Sequence, residues 1–329
     1  MLRYTLRRLL YMIPTLIVIS MISFAIIQLP PGDFLTSYVA TLRQQGEDID
    51  TQALRALEQQ YGLNQPVYVQ YWKWITNIVT RGDFGLSFEW QRPVSQLIWE
   101  RIGLTVFISL LTIIVTWLIA IPTAVYVATH QYSFLDYLMS FISFVGLGTP
   151  GFLVALIYLW FMLEAFGVNA AGLFSEQFIN AEWSMAKFQN MMGRIWAPVL
   201  ILSLDNTAGI IRTVRANLLD ELNKPYVETA RAKGLRERAL IWKYPVRVAL
   251  NPFFSTVGWT LAALVSGETL VAVVLNIQTS GPLLLRALTS QDMYLAGAFV
   301  LLLSVLTVIG TLLSDILLAL ADPRIRLEG

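Results

Sequence analysis

The chain contains no cysteine and a single histidine, His130, among its 329 residues. That inventory leaves no material for a disulfide framework or a Cys/His metal centre, and no motif for a Ser-His-Asp triad. A carboxylate-only metal site likewise has no motif. None of the five lysines is followed by Ser or Thr, so the G-x-x-x-x-G-K-[ST] phosphate loop is absent. If ATP drives this protein, another chain hydrolyses it. Charge is also scarce. Asp, Glu, Lys and Arg make up 14% of the residues, against roughly 25% in soluble domains.

What fills the space is apolar. Hydrophobic residues reach 56%, above the roughly 45–50% of soluble domains. They are gathered into runs of about 20 residues, long enough to cross a hydrocarbon core of about 30 Å as helices. These runs lie near Leu9–Ile27, Leu104–Ala128, Leu135–Leu163, Ile195–Ile211, Ala249–Val271 and Ala296–Leu320. The expected fold is an all-α polytopic membrane protein of about six transmembrane helices. Arg3, Arg7 and Arg8 precede the first run, as in a secretory signal. It is too long for a typical signal core and lacks a small-residue cleavage site, so it reads as a retained span. Pro122 and Pro150 fall inside spans and are expected to kink them. Gly146, Gly148 and Gly151 around Pro150 allow close helix approach or an unwound backbone lining a cavity.

Basic residues orient the spans. With both termini cytoplasmic, fourteen of the 23 Lys and Arg fall inside and nine outside. Six of those nine belong to the long external segment, where charge weighs little, leaving fourteen against three. That segment, Pro30–Arg101, is expected to be helical. Asp50 suits an N-cap for a helix carrying Leu54, Leu57 and Tyr61 and ended by Gly62. A second helix from Pro66 lines up Tyr68, Tyr71, Trp72, Ile75 and Ile78 along one flank, which suits a lipid interface or a partner.

One charged island interrupts the apolar pattern at Tyr226–Pro252, YVETARAKGLRERALIWKYPVRVALNP. Pro225 fits a helix start and Gly234 a stop that tolerates positive φ. Val227, Ala230 and Gly234 fall on one side of a short helix and the long charges on the other. The result is a smooth-faced helix displayed outside the membrane, as if to be gripped. An ordinary solvated positive-inside loop is the plainer reading.

The run Glu228-Thr229-Ala230-x-x-x-Gly234 resembles the E-A-A-x-x-x-G coupling loop of binding-protein-dependent ABC importer permeases. The fuller YVETARAKGL is similar to the peptide/nickel branch, the dipeptide and oligopeptide permeases. PPGDF (Pro30–Phe34), GDFGLSF (Gly82–Phe88), RPVSQLIWERIGLT (Arg92–Thr105) and DPRIR (Asp322–Arg326) also resemble that branch, so the likeness spans nearly the whole chain. Thr229 departs from the general pattern, which has Ala there, and the I-x-L-P ending is absent.

The resemblance implies an importer permease with no covalent chemistry of its own. Its parts would be a first span (1–29), an extracytoplasmic scaffold segment (30–100), a transmembrane domain (101–320) with a coupling loop (222–247), and a cytoplasmic tail (321–329). The coupling residues would be Tyr226, Val227, Glu228, Thr229, Ala230, Arg231, Ala232, Lys233, Gly234, Leu235 and Arg236. Glu228, Arg231 and Arg236 would fix register against an ATPase cleft. Partners implied are a second homologous permease, two ATP-binding subunits that hold the ATP and Mg, and an external solute-binding protein.

Acidic residues inside spans are costly and face protein or water. Asp205, beside Asn206, reads equally as a cavity contact or as an interhelical tie. Glu268 matches a family glutamate just before an external gate region, Leu275–Leu285. Asp315 and the Arg212/Arg215 pair match family positions, which suggests an Arg212–Asp315 ion pair. Substrate is placed near Pro150. Oligopeptides are the expected cargo, with oligosaccharide, glutathione or nickel chelate as alternatives. An ion-coupled secondary transporter using Asp205 and an intramembrane hydrolase are the rivals from other classes. Since the chain has no cysteine, single introduced cysteines report topology without background. Cysteine at Glu237 is expected to label only from the cytoplasm and at Gln52 only from outside. Labelling of the former from outside intact cells would reverse the orientation.

Overall fold

The computed structural model describes residues 2–28, 65–87, 89–179, 181–251, 253 and 269–321. The expectations for PPGDF, the Asp50–Gly62 helix, Pro252, Glu268, DPRIR and most of the fifth apolar run lie outside the described residues. Among those residues the architecture is helical throughout. An antiparallel bridge between Leu86 and Pro93 stands outside any strand.

Helix α1 (Leu2–Ile27) precedes α2 (Val67–Arg81) and α3 (Val94–Thr129). Then come α4 (Phe134–Gly148), α5 (Gly151–Phe166), the single turn α6 (Glu176–Ile179) and α7 (Met185–Leu222). Three short helices follow, α8 (Pro225–Ala232), α9 (Glu237–Lys243) and α10 (Pro245–Ala249). The chain continues with α11 (Thr269–Val274), α12 (Ser280–Thr289) and α13 (Met293–Ala321). Helices α1, α3 and α13 are long and apolar enough to cross a bilayer, and α4 with α5 qualifies as a bent pair. The longest helix, α7, has 38 residues, with Pro198 inside it.

The single kinked span expected over Leu135–Leu163 is instead two helices meeting at 99°. Thr149 is extended (φ −104°, ψ 115°) and Pro150 caps α5. A proline disfavours the helical region for its predecessor, and at Thr149 the chain takes the extended conformation and breaks rather than bending. Pro122, by contrast, sits within the continuous helix α3.

Packing follows residue size. The most extensive helix pairing joins α3 to α7, and α1 lies along α13. On the face of α4 toward α7, a β-carbon on Gly146 would stand 3.3 Å from the Ala208 Cβ, so the close approach expected of the glycines does occur here. The second apolar cluster, including Ile108, Met191, Ile195, Val199, Val271 and Leu275, ties α3, α7 and α11 together.

The GDFGLSF and RPVSQLIWERIGLT motifs take part in packing. Phe84, Val94 and Leu97 pack with Phe24 and Trp74, and with Leu295 and Phe299 of α13. Gly85 sits at φ +101°, and a β-carbon there would come within 2.5 Å of the Tyr294 ring. Only glycine allows both that conformation and that approach. The buried Asp292 carboxylate accepts from the Ser87 hydroxyl, and from the Glu89 and Leu295 amides at 3.3 and 3.2 Å. The α2 segment is thus fastened to α1 and α13. Its flank is divided. Tyr71, Ile75 and Ile78 pack inward, while Tyr68, Trp72 and Val79 stay exposed.

Candidate functional site

Three places in the described structure hold the residues that the sequence singles out. The first is the charged island. Helix α8 begins with Pro225 at its first turn, and Lys233 and Gly234 end it. Gly234 has φ +78°, the left-handed value expected from the sequence, and a β-carbon there would meet nothing within 4 Å. Its neighbourhood outside the chain is open.

The buried side of α8 corrects the expectation of a small face offered outward. Val227 and Ala230 pack against Leu240 of α9, with Leu235, Ile241 and Tyr244 around them. A short helix gains little from its own hydrogen bonds and is held by its apolar side, so that side turns inward. What α8 presents outward is Glu228, Thr229, Ala232 and Lys233, with Arg236 just beyond the turn.

Arg231 is spent inside the loop. Its Nη2 and Nε donate to the two carboxylate oxygens of Glu237 at 2.6 and 3.1 Å, across the Gly234 turn. The Arg231 bonds hold the Glu237 carboxyl below the ordinary carboxylate range, and Glu237 in turn raises the guanidinium. Tyr226 donates to Glu221 Oε2 at 2.5 Å. Burial, then the Glu221 carboxylate, pushes that phenol above its usual value. Two links therefore hold α8, one at its entrance to the end of α7 and one at its exit to the start of α9.

The second place is the break at Pro150. Thr149 and Gly151 line a hollow of about 280 Å³ together with Phe141, Val145, Leu204 and Asp205. Asp205 projects from the middle of α7 and is exposed. The structure thus brings Asp205 and the Pro150 break to one cavity, with walls otherwise almost wholly apolar. Asn206 points elsewhere and donates weakly to the Leu202 carbonyl at 3.4 Å. Leu275 and Ile277, in the expected gate region, are buried, and Ser280 bonds Thr105 of α3 through its amide at 2.8 Å.

The third place holds the ion pairs, and here the Arg212–Asp315 expectation is corrected. Asp315 pairs with Arg8 at 3.0 Å, because α13 lies along α1. Arg212 stands over the Phe144 ring, 5.6 Å from its centroid. The other arginine, Arg215, makes a bidentate pair with Asp136 at 2.7 and 2.8 Å. Asp136 is buried at 2% exposure and also accepts from the Tyr132 amide at 3.0 Å. The spacing Ser133-x-x-Asp136 was a capping-box signal for this helix start. Ser133 does accept from the Asp136 amide.

Substitution separates the two pairs. Asp136→Ala leaves a guanidinium only 27% exposed without its partner and is expected to cost about 3 kcal/mol. Arg8→Ala breaks a pair whose arginine is 44% exposed and should cost under about 1 kcal/mol. Denaturant unfolding in detergent micelles measures both, and equal losses would contradict the assignment.

Comparison with known proteins adds to this geometry. Residues 120–327 match the family described as binding-protein-dependent transport system inner membrane component, and residues 1–110 match its N-terminal component. The chain is 34% identical over 323 residues to an oligopeptide transport system permease protein of Bacillus subtilis, covering 98% of each chain. It is 29% identical over 326 residues to a glutathione transport system permease protein of Shigella flexneri, covering 99% of each. A nickel import system permease protein of Staphylococcus aureus is 28% identical over 321 residues, which are 98% of this chain and 91% of the relative.

Proposed function

Because the chain belongs to the binding-protein-dependent transport system inner membrane components, the permease components of ABC importers, we propose that it moves oligopeptides inward by alternating access. In this reading it sits in the inner or plasma membrane of a prokaryotic cell with both termini cytoplasmic. It pairs with a second, homologous permease, and the pore forms between them. A solute-binding protein delivers cargo from outside. Two separate ATP-binding subunits hold ATP and Mg and grip the 222–247 loop. Membership of this family sets aside the ion-coupled secondary transporter and the hydrolase.

The observation that carries the coupling role is the pose of α8. A helix with an apolar underside, linked at both ends and facing open space with charge, suits contact with a partner surface. Gly234 at φ +78° keeps side-chain bulk away from that contact. Family names among the relatives spread over peptide, glutathione and nickel, and the oligopeptide reading follows the relative with 34% identity.

Gly234→Trp and Glu228→Arg test the coupling role. A side chain at the left-handed position costs roughly 1–2 kcal/mol, and it projects where the partner must approach. Each variant should still insert, while recovery of the ATP-binding subunits and cargo-stimulated hydrolysis fall at least about tenfold, or ~1.4 kcal/mol of docking. Near-normal values for both would reduce the loop to a solvated connector.

Asp205 is proposed to touch cargo at the Pro150 hollow. Asp205→Asn keeps shape but removes charge. The half-saturating cargo concentration should rise roughly tenfold, the worth of a charge-assisted hydrogen bond of about 1.5 kcal/mol. Assembly and basal ATP hydrolysis should be unchanged. Failure to assemble would make the residue an interhelical tie instead.

A further inference from the structure

A larger hollow of about 640 Å³ lies away from Asp205, between the start of α3, the loop after α5 and the start of α7. Trp99, Leu104 and Phe107 of α3 form one wall, and Phe188 and Met191 of α7 another. Two cations line it. Lys187 is buried at 7% exposure, its ammonium donating to the Ala181 carbonyl at 2.6 Å and the Ile179 carbonyl at 3.4 Å. The ammonium also stands 4.9 Å from the Phe174 ring centroid and 5.5 Å from that of Trp183. Among the described residues no carboxylate lies within 4.0 Å of it.

A buried ammonium is costly unless paired, and carbonyls and ring faces supply only partial charge. Two of its three N–H groups are used by the carbonyls, which leaves one. Arg101 lines the same hollow and is bonded through Nη1 to the Gln278 side chain and backbone carbonyl, which leaves the rest of its fork. Glu100 also faces the hollow, but its carboxylate is paired with Arg92. A third cation, Arg194, holds the Ala171 carbonyl of the same wall at 3.3 Å. The lining therefore carries an excess of positive charge inside an aromatic chamber.

We infer that this chamber is a binding site for an amphipathic organic anion, a carboxylate or phosphate ester carrying an apolar or aromatic body. The oxyanion takes the remaining donors of Lys187 and Arg101 and supplies the negative charge that Lys187 lacks. The body fills the space between Trp99, Phe107 and Phe188. The volume falls in the range of about 300–1,000 Å³ usual for small-molecule sites. Two sources offer this chemistry, a soluble solute and an anionic phospholipid whose headgroup meets the exposed Trp99 and Trp183. The inference does not rest on the peptide-transport reading, because neither Asp205 nor the α8 loop takes part.

The test uses the full-length chain, with whatever subunits co-purify, in nanodiscs of phosphatidylcholine. N-acetyl-L-phenylalanine and its neutral amide are the two soluble ligands, followed by calorimetric titration. The acid is expected to bind at least tenfold tighter than the amide, and Arg101→Gln should remove most of that difference. Lys187→Met should do the same where it folds, and Arg101→Gln decides where it does not. Phosphatidylglycerol in the nanodiscs then identifies the source. Displacement of the acid, or lipid retention that depends on Arg101, points to a headgroup, and neither points to a soluble solute. Equal affinity for acid and amide, with no Arg101-dependent retention of phosphatidylglycerol, overturns the site. Normal behaviour of the α8 variants would sink the coupling reading and leave this one untouched.

Discussion

Lipid offers no hydrogen bonds, so every backbone amide and carbonyl at membrane depth must find its partner within the protein. That constraint makes long apolar helices the default, and α1, α3 and α13 follow it as continuous helices, α1 and α3 each with one proline inside. It also gives meaning to the exception. At Thr149–Pro150 the ladder is broken, and such a break is tolerated only against protein or a cavity. Here the broken turn faces the hollow that Asp205 shares. Backbone irregularity and an acidic side chain, each expensive alone, are placed at one hollow.

Acidic groups elsewhere bind elements together. Asp292 secures the segment between α2 and α3 to the start of α13, and Asp136 secures α4 to α7 through Arg215. Arg231 and Glu237 fasten the charged island on itself. A buried carboxylate with all its oxygens satisfied is a clamp, whereas Asp205 sits in an otherwise apolar wall. This difference in surroundings separates the structural acids from the one proposed to meet solute.

Much of this was legible in the residues. Helices α1, α3 and α13 follow from apolar run length, and the start and stop of α8 follow from Pro225 and Gly234, whose backbone demands are local. Partner choice was not legible. Whether Arg212 or Arg215 receives a carboxylate depends on how α4 crosses α7, and Asp315 meets Arg8 only because α1 lies along α13. The inward turn of Val227 and Ala230 likewise needed Leu240, ten residues beyond Ala230. The chamber around Lys187 was missed because its cations belong to separate elements, with no spacing between them to read.

Helix α7 passes through all of these places. It starts beside the aromatic chamber at Lys187, carries Asp205 past the broken turn, anchors Arg215 and ends three residues before Pro225. At 1.5 Å per residue its 38 residues form a rod of about 57 Å. Such a rod is a lever. A tilt of about 5° at one end carries the other roughly 5 Å, close to one helical turn. Pro198 removes a single rung of the ladder between the chamber and Asp205 and leaves the long arm toward α8 whole. In the proposed coupling, a displacement imposed at the charged island would meet Asp205 before it meets the proline inside the helix.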